Sequence, residues 1–275
     1  MTASHVNAAN PASSSRSAWY RPTLSPEHGV YVVLLVSFLT GAAAAQHWTL
    51  ATTLALICAF AGFQAEHPLA LQIKQRRSWK PRFLFWGGLY AGTTLGLGGY
   101  LALRVPMLLW LYLGAIAALI IDAIAVLHRK QRSVANELLT FSAVCLAAPL
   151  AYAATLGTLS VSVFGLWLLN TLFFSSAIFT VKLRKPKTES WVPGLIYHAI
   201  ASAIILILWF LGILESITAL AFGIVLLKLG FILLRQEWYR TTAIHNIANI
   251  ETLSALAFLG VIAISLLPAH LPPSV

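Results

Sequence analysis

The chain has 275 residues, of which 59% are hydrophobic and only 9% are charged. Soluble domains usually carry about 25% charged residues, so this composition excludes an ordinary soluble protein and indicates an integral membrane protein. The formal net charge of +10 resides in short basic segments between apolar runs. That pattern is typical of membrane orientation, and the sequence therefore predicts no nucleic-acid partner.

The chain opens with a polar segment. Residues 1–25 are rich in Ser, Ala and Asn and contain Arg16 and Arg21. Such a composition buries too little apolar surface to fold on its own. We therefore predict a disordered cytoplasmic tail over residues 1–25 and a transmembrane domain over residues 26–270.

Nine apolar runs approach the length of about 20 residues that a membrane-spanning helix needs. They are continuous rather than alternating, which excludes the strands of a barrel. The sequence therefore predicts an all-α, polytopic bundle of nine transmembrane helices. Cys58 and Cys145 fall inside two of the runs and are predicted to be small buried side chains. The predicted spans are 29–46, 48–65, 83–103, 105–127, 138–157, 159–181, 194–214, 216–234 and 250–268.

The basic residues occur in every second loop. The loops between these basic loops contain only Arg104 and Glu215 as charged residues. Basic loops stay on the cytoplasmic side, so we expect a cytoplasmic N-terminus and an external C-terminus. The membrane is predicted to be a bacterial plasma membrane or another energy-transducing membrane. The predicted cytoplasmic loops are 67–82, 128–136, 182–190 and 235–249.

Polar side chains gather at the predicted cytoplasmic ends of the spans. Glu27 and His28 precede the first span, and Glu66 and His67 follow the second. Because the two spans are antiparallel neighbours, these Glu-His pairs are expected at one face. Asp122 lies deeper, about 9 Å from the end of the fourth span at 1.5 Å per residue. A carboxylate at that depth needs a wet or paired environment.

Two interpretations of these groups stay open. Carboxylates beside neutral imidazoles suit a divalent metal such as Mg²⁺ or a proton-transfer network. Alternatively, Asp122 pairs with a neighbouring span for folding alone, and Lys228 in the eighth span snorkels towards the interface. The predicted catalytic residues are Glu27, His28, Glu66, His67, Asp122 and Glu137, and the predicted substrate-binding residues are Lys74, Arg76, Arg77, Arg132, Asn136, His198 and Glu251.

Three stretches resemble the YwiC-like family of bacterial membrane proteins. They are SPEHGVYVVLLVSFLTGAA, FQAEHPLALQIKQRR and KQRSVANELLTFSAVCLAAPLAYAA. The resemblance runs over most of residues 20–268, and PEHG before the first span is its most specific piece. It implies an integral membrane protein and no particular activity.

The architecture is also similar to the UbiA superfamily of intramembrane prenyltransferases, whose nine spans surround a cavity open to the cytoplasm. HRKQRSVANELLTFSAVCLAAPLAYAAT resembles the basic loop into their fifth span, and RRSWKPR resembles the basic end of their second-span motif. Those enzymes hold a prenyl diphosphate through Mg²⁺ on Asp-rich motifs. At the matching places this chain has only Glu66, His67 and Glu189. The resemblance therefore implies a related fold without the usual chemistry. Two interpretations of Lys74, Arg76, Arg77 and the basic segment 182–187 stay open: they hold a diphosphate directly, or they only anchor the topology.

Three functions follow from these observations. The first is a UbiA-like protein that acts on or binds an isoprenoid or quinone-type lipid, including a divergent prenyltransferase. The second is an ion- or proton-coupled carrier that uses the same Glu and His side chains. The third is a non-catalytic membrane assembly factor that binds a lipid pigment. A membrane lipid or isoprenoid is the expected partner, and the oligomeric state is left open.

Overall fold

The computed structural model describes residues 20–26, 28–75, 78–184 and 190–266. Within these ranges the chain is helical and contains no strand, which confirms the predicted all-α class. The helices are α1 (His28–Ala45), α2 (Leu50–Lys74), α3 (Pro81–Arg104), α4 (Leu108–Leu127), α5 (Val134–Cys145), α6 (Ala147–Leu156), α7 (Val161–Lys182), α8 (Val192–Phe210), α9 (Ser216–Leu220), α10 (Gly223–Leu234), α11 (Gln236–Thr241) and α12 (Ile244–Ser265).

Eight helical stretches of the described chain are long and apolar enough to cross a membrane, whereas nine were predicted. Two of the eight combine consecutive helices, α5 with α6 and α9 with α10. The ninth predicted span, 83–103, is helical as α3. Its glycines, threonines and tyrosines, together with Arg82 and Arg104, make it less apolar than the others. A multi-pass membrane protein is confirmed, and the count of nine apolar spans is wrong by one.

The helix termini follow from local sequence signals. Thr49 forms a capping box with Thr52 at the start of α2, and Ser133 caps α5. Gly157 ends α6 in the left-handed conformation that glycine adopts without strain. These caps satisfy backbone groups that would otherwise be buried unpaired in the membrane.

The span that contains α5 and α6 is interrupted at Leu146. Pro149 has no N–H to donate to the carbonyl of Cys145, and its ring crowds that carbonyl. The helical ladder therefore breaks there, and Leu146 instead bonds to the carbonyl of Ala143. The span predicted at 138–157 is thus present as two short helices.

The core is built around α1, α6 and α7, whose residues are mostly buried. Helices α1 and α6 touch at Gly41, where a Cβ would lie only 2.0 Å from the carbonyl oxygen of Ala148. Polar contacts also cross this core, because Asn170 Nδ2 donates to Thr40 Oγ1 at 3.0 Å. By contrast, α3, α4 and α8 expose large apolar side chains along their length, as a lipid-facing surface requires.

Contacts between helices show that the bundle has two distinct ends. At one end Arg184 donates to the carbonyl of Thr242, and at the other the hydroxyl groups of Thr52 and Thr155 lie 2.6 Å apart. We call the first the basic end, because the starts of α1, α3, α5, α8 and α12 meet the Lys- and Arg-rich loops there. Its cytoplasmic placement remains a prediction.

The last residues of the predicted tail contact this basic end. The Arg82 side chain donates to the backbone carbonyls of Arg21 and Pro22, at 2.9 and 3.0 Å. Residues 1–19 of the predicted tail lie outside the described residues, as do the last residues of the predicted membrane domain, 267–270.

Candidate functional site

The polar residues of the basic end form three separate groups rather than one cavity. The first joins α1 to α2. The backbone N–H of Ser25 donates to Gln64 Oε1 at 3.1 Å, and Gln64 Nε2 donates to the hydroxyl of Tyr31. His28 stacks on Tyr31 with ring centroids 6.4 Å apart. Helix α2 therefore holds the entry to α1 at this point.

The two Glu-His pairs are only partly described. Glu66 and His67 lie on α2 just beyond Gln64, and each interacts with other groups of the protein. Glu27 lies outside the described residues, as do Arg76 and Arg77. The hydrogen bonds of Gln64 show that the start of α1 lies close to this part of α2. The pairing of Glu27 with Glu66 stays a prediction.

The second group joins α4, α5 and α7. Asn136 Nδ2 donates to Asp122 Oδ1 at 2.6 Å and to the carbonyl of Gln131 at 3.2 Å. Glu137 forms an ion pair with Lys182 at 2.5 Å. Two of the predicted catalytic acids thus join neighbouring helices. This geometry agrees with the interpretation in which Asp122 pairs for folding.

The third group is an ion pair inside the C-terminal half of the bundle. Lys228 of α10 lies 2.7 Å from Glu251 of α12, and its side chain is only 3% exposed. The ammonium also donates to Ser176 Oγ at 3.4 Å and lies 5.8 Å above the ring of Phe173. The snorkelling predicted as an alternative for Lys228 is therefore wrong, because its cation stays inside the bundle.

Several buried polar atoms around this pair have no hydrogen-bond partner among the described residues. His198 Nδ1 donates to the carbonyl of Gly194 at 2.6 Å, which leaves Nε2 as a buried acceptor without a donor. Glu251 Oε1 and Arg184 Nη1 are likewise buried without a partner. The hydroxyl of the fully buried Tyr239 is the fourth such atom.

Tyr239 belongs to the short helix α11, which lies against the basic end. Burial, and secondly the negative charge of Glu251, raises the pKa of Tyr239 to about 12. Tyr239 is therefore a neutral hydrogen-bond donor at physiological pH. Its ring packs with Leu183, Ile232 and Ile247, so the hydroxyl is held in place by three neighbouring helical segments.

A basic cleft of about 790 Å³ opens at the same end of the bundle, between the end of α2, the start of α3 and the end of α4. Lys74, Lys80, His128 and Arg129 line it. Sequence analysis predicted only Lys74 of these four as a substrate-binding residue. The others were missed because a basic loop residue that anchors topology has the same sequence signal as one that lines a cleft. Arg132 does not line the cleft.

The described residues offer no obvious metal site. Among them no group of three or more His, Cys, Asp or Glu side chains could hold a metal ion. Each described acid of the second and third groups already faces a lysine or an amide. The donor set therefore does not fit the Mg²⁺ that the UbiA resemblance would add.

Comparison with known families places this geometry in context. Residues 24–152 match the family model described as YwiC-like protein. Over these residues the chain is similar to the YwiC-like family. The match runs from just before α1 into α6, so it is shorter than the expected resemblance over residues 20–268. No curated protein and no solved structure matches the chain.

The YwiC-like segment contains the first group, the Asp122–Asn136 contact and the whole basic cleft. The Lys228–Glu251 pair lies beyond it, in the C-terminal part of the chain. The family match therefore does not include the residues of the buried ion pair.

Proposed function

We propose that the basic cleft binds the phosphate-bearing head group of a membrane lipid, with an isoprenoid diphosphate as its ligand. The observation that carries this proposal is the convergence of Lys74, Lys80, His128 and Arg129 on one cleft at the end of lipid-facing helices. Lysine and arginine form short, charge-assisted hydrogen bonds with phosphate oxygens. No Asp or Glu is among the described residues that line the cleft, so an anion meets no repulsion from its walls.

The apolar surface next to the cleft supports a lipid ligand over a soluble phosphate. Leu84 and Leu89, near the basic end of α3, are exposed. Ile120 and Ile124, near the basic end of α4, are exposed as well. A chain attached to a head group in the cleft would lie along these side chains and keep its contact with the membrane core.

The resemblance of the sequence to the UbiA superfamily supports an isoprenoid as the occupant, because that superfamily handles prenyl diphosphates. Prenyl transfer in that superfamily uses Mg²⁺ on Asp-rich motifs, and the described donors around this cleft do not fit the ion. The proposal is therefore binding of the diphosphate directly by lysine and arginine. We place the basic end in the cytoplasm of a bacterial cell, on the basis of the charge distribution between loops.

The test is binding of geranylgeranyl diphosphate to the purified full-length protein, followed by native mass spectrometry. We expect the Lys80→Gln/Arg129→Gln variant to bind at least about tenfold more weakly, which corresponds to about 1.4 kcal/mol. Arg235→Gln is the matched control, because Arg235 is an exposed cation of the same end that does not line the cleft. It should bind as the wild type does.

Two further measurements complete this experiment. Geranylgeraniol, which lacks the diphosphate, should bind the wild type and the double variant equally. Addition of a chelator should leave binding of the diphosphate unchanged, because lysine and arginine hold it directly. Equal affinity of the wild type and the double variant for geranylgeranyl diphosphate would overturn the proposal.

A further inference from the structure

The third polar group forms a layer at one depth of the membrane domain. Ser176 precedes the end of α7 at Lys182 by six residues, and Lys228 precedes the end of α10 at Leu234 by six. At 1.5 Å per residue both lie about 9 Å from the basic end. His198 follows the start of α8 by six residues and Glu251 follows the start of α12 by seven. The layer thus collects one polar residue from each of four helices.

A structural ion pair alone does not account for the composition of this layer. A buried pair is stable only when its remaining donors and acceptors are also satisfied. Here Glu251 Oε1 and His198 Nε2 are acceptors without a donor, and both are buried. His198 is 2% exposed, so its bare nitrogen faces the protein interior rather than solvent or lipid. Two unfilled acceptors beside a lysine leave positions in this layer at which an additional proton can be held.

We propose that Glu251, Lys228 and His198 form an internal proton-exchange site, in which Glu251 takes up a proton from the basic end and releases Lys228. This inference goes beyond lipid binding at the cleft and does not depend on it, because the two sites share no residue.

The exchange step is a simple acid–base reaction. A proton from water adds to a carboxylate oxygen of Glu251, whose charge changes from −1 to zero, and no other covalent bond changes. Lys228 keeps its positive charge and its contacts with Ser176 Oγ and the ring of Phe173. It loses its ionic partner, and the proposed new acceptor is His198 Nε2, a buried atom of the same layer without a partner among the described residues. Loss of the proton restores the ion pair.

The groups that face Glu251 and Lys228 from the surrounding helices are few. Lys228 acts on His198 of α8, and Glu251 acts on Tyr239 of α11, as does Arg184, which follows the end of α7 by two residues. Helix α9 contains no titratable residue. Helix α1, which also packs on α12, has His28 and Tyr31 near its basic-end terminus, and Tyr31 is engaged by Gln64. Glu251 is therefore the acid of this layer that can accept a proton, and its side chain is 26% exposed.

Tyr239 and Arg184 lie on the side of Glu251 from which the proton would arrive. Both are at the basic end, and the charges of Glu251 and Arg184 act on the Tyr239 phenol. Each has a buried donor without a partner among the described residues. Tyr239 and Arg184 therefore supply polar groups between Glu251 and the basic end.

The site is tested with N,N′-dicyclohexylcarbodiimide, a lipid-soluble reagent that modifies protonated carboxyl groups. The purified full-length protein is treated at about pH 5 and about pH 8, the range in which histidine changes its charge, and adducts are mapped by peptide mass spectrometry. Glu137 is the internal reference, because it also pairs with a lysine and its side chain is 28% exposed.

We expect the ratio of the Glu251 adduct to the Glu137 adduct to rise about threefold or more between the alkaline and the acidic sample, because the proposed proton-exchange site contains Glu251 and not Glu137. In Lys228→Met the Glu251 adduct at the alkaline pH should approach that at the acidic pH. A ratio that does not change with pH, or a Glu251 that stays unmodified throughout, would show that the pair is structural and overturn the proposal.

Infrared spectroscopy keeps the proposal testable if Lys228→Met does not fold. The wild type should gain the C=O stretching band of a protonated carboxyl group on acidification, and Glu251→Gln should lack that band. An identical band in the two proteins would overturn the assignment of the proton to Glu251.

Discussion

Asn136 at the start of α5 donates a hydrogen bond of 2.6 Å to the carboxylate of Asp122 on α4. The contact closes the basic turn between two consecutive spans, and Ser133 Oγ accepts from the backbone N–H of Asn136 in the same turn. Asp122 is therefore the acceptor of a helix-to-helix clamp. This role explains how the membrane domain tolerates an acid so far from the end of α4.

Removal of the clamp should destabilise the protein. Asn136→Ala is expected to cost about 1.5–3 kcal/mol of unfolding free energy, since it deletes a hydrogen bond to a charged group and leaves that group unpaired. Thermal unfolding in detergent measures the effect. Asn246→Ala is the control, because Asn246 donates to the neutral hydroxyl of Thr242 at the same end of the bundle. A loss in Asn246→Ala as large as that in Asn136→Ala would contradict the clamp.

The contact of α1 with α6 leads to a second prediction. Gly41→Ala places a methyl group 2.0 Å from the carbonyl oxygen of Ala148, a backbone atom that no rotamer change can move. We expect a loss of about 1–3 kcal/mol or more, visible as a lower unfolding temperature. Gly99→Ala in α3 is the matched control, because its methyl group would meet nothing within 4 Å. Unfolding temperatures that are equal in the two variants would refute the close contact.

Tyr239 makes the stability of the folded protein depend on pH in the alkaline range. Its pKa is raised from 10.0 to about 12 in the folded protein, first by burial and then by Glu251. The folded state therefore holds the phenolic proton more tightly than the unfolded state does. The contribution is complete below about pH 10 and is lost as the pH rises towards about 12, at no more than about 1.4 kcal/mol per pH unit.

The measurement compares unfolding temperatures of the wild type and Tyr239→Phe across this alkaline range. Tyr239→Phe should lose stability less steeply, since it has no phenol to ionise. Tyr100→Phe is the control, because Tyr100 is exposed on α3, and its profile should follow that of the wild type. Parallel profiles for the wild type and Tyr239→Phe would contradict the prediction.

Cysteine labelling in intact cells tests the orientation of the bundle. Lys74→Cys, at the basic end, should react with a membrane-impermeant maleimide only after the membrane is permeabilised. Glu215→Cys, in the loop between α8 and α9 at the opposite end, should react at once. The native Cys58 and Cys145 are buried and give little background. Ready labelling of Lys74→Cys from outside would reverse the orientation and place the cleft and the ion pair at the other face.

The sequence predicts the elements of this fold well, because span length and loop charge are local properties. The third span shows where this prediction is less accurate. Its glycines and terminal arginines make it less apolar than the other spans, although it still forms a helix. The break at Leu146 was also missed, although Pro149 is its visible cause. The prediction gave one continuous span over 138–157, and the structure divides it into two helices at Leu146.

The pairing of polar groups was harder to predict than the spans. Lys228 and Glu251 lie on different helices, and their contact depends on how each helix is rotated about its axis. Helices that are apolar on all sides carry no periodic signal for that rotation. Depth within the span was the usable signal, because His198, Lys228 and Glu251 each lie six or seven residues from their helix ends. The prediction instead emphasised the Glu-His pairs, which are adjacent in sequence and easier to see.

The backbone contact at Gly41 also limits how the protein can move. Helices joined through side chains can slide past each other by changing rotamers, whereas the backbones of α1 and α6 meet there with no side chain to rearrange. A conformational cycle must therefore carry these two helices as one rigid body. Helices α3, α4 and α8 expose large apolar side chains on their outer faces, so a displacement would fall to them, with α3 moving together with α2, on which it packs most extensively.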